Sequence, residues 1–285
     1  MGCLNSDQNF NHWFGNIHLS GKCNRSCYFC IGQHMMGLDP YNNLDEWPLK
    51  NIDKFIEESI KHKINDINIT GSNTDPLLYK HTSEIKEYIK LRIPDLIFGI
   101  RTNGVLADSN DLLNLYDKGS ITICSFDKTI YNKMMGNGNP PDLEKILFKY
   151  PHLKNKLKVN IVLGPENIKN DIYQTILNCN YLGIAKINMR EPYGQPHIGD
   201  PLNGFFKKCI HKTFGMPHYH CTINGNTEIT YWDVHYVEIE SVNLYANGNI
   251  STLYPITKGY DINLGEVKTQ DNFIGGRIRQ QWLKY

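Results

Sequence analysis

The chain has 285 residues, with 30 lysines and arginines against 29 aspartates and glutamates, so its formal net charge is +1. Near-neutrality argues against reliance on a broad basic face for nucleic acid and leaves only a local patch open, and no apolar run approaches the roughly 18 residues of a membrane span. The length is enough for one large α/β domain, or for one domain with an appendage.

The stretch from Met1 to Phe14 is polar and lacks the apolar core of a secretory leader. Eight cysteines without such a leader are expected in a reducing cytoplasm, where thiolates stay available for metal. Residues 17–19 form a first short strand, which runs directly into Gly21-Lys22-Cys23-Asn24-Arg25-Ser26-Cys27-Tyr28-Phe29-Cys30. Leu49, Ile52, Phe55, Ile56 and Ile60 then recur at helical spacing. Strands are predicted over residues 66–70, 96–100, 121–125, 159–163 and 185–189, with helices over 78–91, 111–116, 142–149 and 171–181 between them. Short apolar strands alternating with amphipathic helices make a parallel sheet of βα units. The fold class expected is α/β, a partial (β/α)6 TIM-type barrel with a small C-terminal antiparallel β extension. In such barrels the chemistry sits at the C-terminal ends of the strands.

After about residue 200 the pattern changes. Asn224-Gly225 and Asn247-Gly248 are hairpin signals, and residues 227–231, 234–240, 242–245 and 250–253 are read as antiparallel strands. The expected organisation is an N-terminal segment (1–14), a barrel (15–199) and a hairpin extension that closes the barrel (200–285). Trp232, Asp233, His235, Tyr236 and Glu238 are candidates for that closure.

The cysteine spacing C-x3-C-x2-C carries the most chemistry. Three thiolates this close in sequence can hold three corners of an iron–sulfur cubane and leave the fourth iron open to a non-protein ligand. A C-x2-C pair is also half of a zinc site, and buried thiols or disulfides are further readings. No second C-x2-C pair completes a four-ligand zinc site; Cys3, Cys124, Cys179, Cys209 and Cys221 are scattered. Cys124 and Cys179 are expected in the core, and Cys3 in a loose terminus.

Polar residues cluster where the predicted strands end. The second strand leads into Gly71-Ser72-Asn73-Thr74-Asp75-Pro76, suited to a close backbone approach and to hydrogen bonds with an amino acid's ammonium and carboxylate. The plain alternative is a βα turn in which Asp75 caps the segment opened by Pro76. Arg101, Thr102 and Asn103 follow the third strand, and Ser125 and Asp127 end the fourth, where hydroxyl and carboxylate suit a ribose diol. Asn160 lies on the fifth strand and leads to Asn167; Arg190 ends the sixth and has the planar fork that pairs with carboxylates.

Taken together, residues 15–195 resemble the radical S-adenosylmethionine (SAM) superfamily. The resemblance implies that Cys23, Cys27 and Cys30 bind a four-iron, four-sulfur cluster and that SAM chelates the open iron. Gly71 and Ser72 fall where the family has its Gly-Gly-Glu motif; the glutamate is absent, and Asp75 is the candidate substitute. By the same resemblance Phe29 lies near the adenine, Ser125 and Asp127 reach the ribose, and Arg190 faces the SAM carboxylate. Thr102, Asn73 and Asn160 complete the candidate cofactor set. The nearest flavour is the branch with the molybdenum-cofactor GTP cyclase and peptide-modifying enzymes. It is carried by Ser125-Phe126-Asp127 with Tyr131 beyond, and by Val159-Asn160-Ile161-Val162 followed by Asn167.

That branch has a C-terminal region rich in cysteine, whereas only Cys209 and Cys221, with His211, His218 and His220, remain here as a possible second metal site. The implied reaction is reductive cleavage of SAM to a 5′-deoxyadenosyl radical that takes hydrogen from a small polar or nucleoside-like substrate, with flavodoxin or ferredoxin as electron donor. Modification of a peptide or of tRNA is the alternative within the class. Outside it, the rival is a non-catalytic binding protein stabilised by zinc or a cluster.

Overall fold

The computed structural model describes residues 13–34, 42–136, 138–168, 170–192, 201–202, 207–213, 216–220, 227–232, 239–253, 260–261 and 266–267. The chain alternates β1 (Phe14–Leu19), α1 (Ile52–Lys61), β2 (Asp66–Gly71), α2 (Thr82–Lys90), β3 (Ile97–Thr102), β4 (Lys118–Thr122), α3 (Lys128–Met135), α4 (Leu143–Lys149), β5 (Leu157–Val162), α5 (Asn170–Tyr181) and β6 (Lys186–Arg190). Strands β7 (Lys207–Thr213), β8 (Met216–His220), β9 (Glu228–Trp232), β10 (Glu240–Leu244) and β11 (Ile250–Leu253) follow. Adjacent strands from β1 to β6 are parallel throughout, as crossover helices require.

Each strand has one apolar and one polar face, because successive side chains point to opposite sides of a sheet. Ile17, Ile69, Phe98, Ile100, Ile121, Val159, Ile161, Ile187 and Leu244 belong to one buried core with the inward stripes of the helices. In α1 that stripe is Ile52, Phe55, Ile56 and Ser59, and in α5 it includes Ile172, Ile176 and Cys179. This 3–4 spacing is what an amphipathic helix needs to cover a sheet. The opposite face carries Asn16, His18, Asn68, Thr70, Arg101, Ser120, Thr122, Asn160, Asn188, Arg190, Thr230 and Asn243, and the registers align these positions across the sheet. A TIM-barrel interior is ordinarily packed with branched aliphatic side chains. Here the concave side is polar.

The C-terminal strands complete the same sheet rather than stack as a separate layer. The order is β11-β10-β1-β2-β3-β4-β5-β6-β9-β8-β7. The expected antiparallel extension is present in the β10–β11, β8–β9 and β7–β8 pairs. In addition β10 runs parallel to β1 and β9 parallel to β6, so a parallel pair joins the extension to the barrel strands on each side. A hairpin signal fixes only the local chain reversal; which edge the hairpin joins is decided by long-range packing. The Asn247-Gly248 turn joins β10 to β11, with Gly248 at φ 86, and its carbonyl accepts from Asn51 Nδ2 (2.8 Å) at the start of α1. Asn224-Gly225, Cys3, Cys221 and residues 233–238 lie outside the described residues, as do the side chains of Cys209, His211, His218 and His220.

Two further boundaries differ from the sequence reading. The fourth strand ends at Thr122 rather than Ser125, because Ile123 and Cys124 are buried in the loop beyond it and mimic strand residues. The helix expected over 111–116 is a short 3-10 turn, Leu112–Leu115.

Candidate functional site

A cleft of about 200 Å³ opens at the C-terminal ends of the strands. Cys23, Cys27 and Cys30 all line it, from the loop that leaves β1. The loop is tethered by Ser26 N donating to Met135 O (3.3 Å) and Tyr28 N to Met134 O (3.4 Å), at the end of α3. All three cysteines are half-buried, unlike Cys124 and Cys179, which sit fully in the core, where burial pushes both thiols up to about 12. Burial also raises the Cys23, Cys27 and Cys30 thiols; Asp75 and then Cys30 add to this for Cys23, and the neighbouring thiols do so for Cys27. Ionising such a set needs a cation, and coordination to metal deprotonates a thiol outright. Among the described residues no three His, Cys, Asp or Glu side chains converge as a single ion requires. A cubane does not ask for that convergence, since each thiolate holds a different iron. The donor set therefore fits a cluster with three cysteine ligands.

The end of β2 forms the opposite lip. Gly71, Ser72, Thr74 and Asp75 line the cleft. A Cβ on Gly71 would stand 1.8 Å from the Thr74 carbonyl oxygen, so only glycine lets this turn fold back on itself. Asp75 is buried and accepts from Leu77 N (3.0 Å), Thr102 Oγ1 (2.8 Å) and Asn103 N (2.7 Å). It is thus the cap of the segment starting at Pro76 and also a brace between the ends of β2 and β3. Burial pushes its carboxyl up from the ordinary value, against the pull of the Asn103 and Leu77 amides and the Thr102 hydroxyl. Asn103 reaches back to the cysteine loop, donating from Nδ2 to Asn24 Oδ1 (2.7 Å).

Of the sequence-derived cofactor candidates, Phe29, Gly71, Ser72, Asp75, Thr102, Asn160 and Arg190 line the cleft together with the three cysteines. Asn73, Ser125 and Asp127 do not line that cleft. Asn73 Oδ1 accepts from Ser20 Oγ (2.8 Å) and Gly21 N (3.0 Å), fastening the β2 turn to the cysteine loop. Ser125 Oγ donates to Asp171 Oδ1 (2.8 Å) and accepts from Asp127 N (2.9 Å). Asp127 is exposed and caps α3 through Thr129 N (2.8 Å) and Ile130 N (3.0 Å). The residue that β4 does present to the cleft is Thr122. Asn167 is fully buried and clamps the β4 and β5 ends through Cys124 O (2.8 Å) and Val162 O (2.9 Å).

Sequence reasoning passed over His18, Arg25, Thr70, Thr122 and Glu191, all of which line the cleft. The signal for His18 and Thr70 was their alternation with isoleucine and leucine, which puts them on the polar face. Glu191 is buried and accepts from the Tyr231 hydroxyl (2.6 Å). Trp232, expected to help close the barrel, does line the cleft from β9. Asp233, His235, Tyr236 and Glu238, expected beside it, lie outside the described residues.

The sequence profile of the Radical SAM superfamily matches residues 17–178, more than half of the chain. The chain belongs to the radical SAM superfamily. Two crystal structures of Streptococcus suis SuiB share the fold. The one bound to S-adenosylmethionine has a TM-score of 0.54 at 14% identity, covering 93% of this chain and 65% of SuiB. The other has a TM-score of 0.55 at 15% identity, covering 93% and 67%. The chain thus spans about two thirds of SuiB's length. Escherichia coli coproporphyrinogen III oxidase, described as a radical SAM enzyme, aligns with a TM-score of 0.42 at 14% identity, covering 65% of this chain and 45% of the oxidase. No curated protein sequence matches the chain. Among the described residues no helix is long and apolar enough to cross a membrane.

Proposed function

We propose that the chain cleaves SAM reductively and uses the resulting radical on a small polar or nucleoside-like substrate held by the polar side of the barrel. The observation that carries this reading is the meeting of Cys23, Cys27 and Cys30 with the Gly71-Ser72 turn in one cleft at the strand ends of a radical SAM fold. A four-iron, four-sulfur cluster held here would supply the electron for reductive cleavage of SAM, and hydrogen abstraction from substrate would follow from that cleavage. Cys23, Cys27 and Cys30 would hold that cluster, all three lining the cleft. Gly71 and Ser72 offer backbone and hydroxyl groups to the methionine ammonium, and the Arg190 guanidinium pairs with its carboxylate. Phe29 packs by the adenine, and Thr122 and Asn160 offer hydrogen bonds to the ribose. Asp75 supports these contacts by fixing the ends of β2 and β3.

In this reading residues 15–199 carry the SAM site, while the part from 200 to 285 contributes Trp232 and β10 to the substrate side. A flavodoxin or ferredoxin delivers the electron. The polar inner face favours a small polar substrate. Anaerobic reconstitution followed by iron and sulfide analysis, then reduction with SAM and detection of 5′-deoxyadenosine, tests the proposal. About four irons and four sulfides per chain, with cleavage abolished in Cys27→Ala, are expected. A zinc-only protein, or a cluster that never yields 5′-deoxyadenosine, would falsify it.

A further inference from the structure

Three side chains stand in one transverse row on the inner face of neighbouring strands. His18 on β1 pairs in register with Thr70 on β2, and Thr70 with Arg101 on β3. Each is the penultimate residue of its strand, and all three line the cleft. We propose that this row recognises an oxyanion on the substrate, a carboxylate or phosphate group, at a position separate from the Arg190 end of the cleft. The inference rests on the reading of the cleft as a SAM-dependent active site and names the class of substrate that the site accepts.

The chemistry of the row is one-sided. Arg101 is permanently charged, and its planar fork of donors matches the oxygens of carboxylate or phosphate. Its guanidinium carbon lies 5.4 Å from the Phe14 ring centroid, so an aromatic face holds the side chain against the inner surface. Thr70 adds a hydroxyl donor between arginine and histidine. His18 is buried and stacks on Tyr245, with ring centroids 4.9 Å apart. Its Nε2 lies 3.4 Å from Asn243 Oδ1, which Asn16 Nδ2 holds at 2.8 Å. Thr70 and Arg101 flank His18 on one side, Asn243 and Tyr245 on the other, and none of these carries negative charge.

Burial and the Arg101 charge depress the His18 pKa to about 4, so the imidazole is neutral while the row holds no anion. An oxyanion beside Arg101 offsets that charge and draws a proton onto His18, adding a third donor. Arg190 stands on β6, three strands away from Arg101, about 14 Å along the sheet at ordinary strand spacing. The proposal thus gives the methionine carboxylate of SAM and the substrate oxyanion different arginines, on strands three apart in the sheet.

Calorimetric titration of the full chain, reconstituted with iron and sulfide, tests this, using inorganic phosphate and malonate separately at an ionic strength fixed with chloride. At least one is expected to bind saturably, roughly tenfold or more weaker in Arg101→Gln, with Arg101→Lys restoring only part because it keeps the charge but loses the fork. Binding of phosphate alone identifies a phosphorylated substrate, malonate alone a carboxylate, and both the shared oxyanion chemistry. In two buffers of different ionisation enthalpy, binding should take up a proton in the wild type and none in His18→Asn. Should Arg101→Gln not fold, Thr70→Val serves in its place, with a several-fold weakening expected from loss of one hydrogen bond.

No saturable binding of either anion overturns the proposal, as do equal binding in the variants and displacement of the anion by SAM. The titration also runs on the chain before reconstitution. A chain that binds oxyanion but builds no cluster defeats the proposed function and leaves the row standing. One that cleaves SAM but binds no oxyanion does the reverse.

Discussion

The Tyr28 hydroxyl donates to Glu166 Oε2 at 2.9 Å, joining the cysteine loop to the turn after β5 across 138 residues of sequence. Tyr28 lies between Cys27 and Phe29, and its ring meets Phe29 edge-on with centroids 5.5 Å apart. Burial and the Glu166 carboxylate keep the phenol protonated far above neutral pH. The bond therefore fixes the loop at its centre, between two of the three thiols.

Tyr28→Phe removes this tether while keeping the ring. Loss of one hydrogen bond is expected to cost about 1 kcal/mol of stability. The more telling effect is on metal retention: a reconstituted Tyr28→Phe protein should lose iron to a chelator several-fold faster than wild type. Glu166→Gln keeps an acceptor and should fall between them. Chelator-release rates for the three proteins check this.

Asp75 supplies a second test, with a defined pH dependence. Its folded-state pKa is raised by burial, so the folded chain binds the proton more tightly than the unfolded one. The stability linked to the protonated acid is complete below the ordinary value of 3.8 and is lost as pH rises through the raised folded value. Asp75→Asn lacks this titration. It should be less stable than wild type near pH 4, because one oxygen can no longer satisfy all three donors, and the difference should shrink as pH rises. Asp75→Ala orphans Leu77 N, Thr102 Oγ1 and Asn103 N together and should cost about 3 kcal/mol. Urea denaturation from pH 4 to 8 measures all three proteins.

The cysteine loop and most strands were legible because both signals are local. Thiol spacing needs no tertiary information, and runs such as Asp66-Ile67-Asn68-Ile69-Thr70 announce a strand directly. The same run held more: its isoleucines pack under the helices while Asn68 and Thr70 share the polar face, from which Thr70 lines the cleft, a period-2 pattern that marks the inner face. What local sequence does not hold is register. Nothing near His18 states that it pairs with Thr70 and, through it, with Arg101. The end of the fourth strand was misjudged for a related reason, since buried, apolar Ile123 and Cys124 extended the apparent strand from Thr122 to Ser125. Asp75 showed the plain capping role that its position before Pro76 already suggested.

His18 gives stability a pH dependence of opposite sign to that of Asp75. Its folded pKa, about 4, lies below the ordinary 6.5, so protonation favours the unfolded chain. The stability from neutral His18 is complete above about pH 6.5 and is lost as pH falls toward 4. The gap corresponds to at most about 3 kcal/mol. His18→Asn should therefore flatten the fall in stability between pH 7 and 4 relative to wild type. Urea midpoints of the two proteins across that range check it.

Close approach of two backbones makes Gly32 a sensitive position. A Cβ there would lie 2.1 Å from Ser72 O and 2.7 Å from Asn73 Cα, so the neighbours in the way are main chain and cannot swing aside. Gly32→Ala must move the cysteine loop away from the β2 turn. Since the fold's core lies elsewhere, the thermal midpoint should change by only a few degrees, as a ~1 kcal/mol perturbation implies for a chain of this size. The affinity for SAM should fall at least about tenfold, since the two lips must be correctly spaced to share one ligand. Equilibrium dialysis with labelled SAM on the reconstituted variant measures this.

The contrast between Ser125 and Asn160 separates what the strand ends do from what their sequence suggests. Both are polar, buried and close to the end of an inner strand. Ser125 spends its hydroxyl on Asp171 and the Asp127 amide, inside the junction of β4 with α3 and α5. Asn160 faces the cleft, with its Oδ1 accepting from Asn188 Nδ2 at 3.4 Å. Ser125→Ala should therefore lower stability by about 1–2 kcal/mol, through two lost hydrogen bonds, and leave SAM affinity within about twofold. Asn160→Ala should weaken SAM binding by about tenfold, the weight of one well-placed polar contact, at a smaller cost in stability. Urea midpoints and SAM dissociation constants for both variants check the pair. An inverted result, with Ser125→Ala losing SAM and Asn160→Ala losing only stability, would return the ribose contact to the fourth strand and exclude Asn160 from the ligand set.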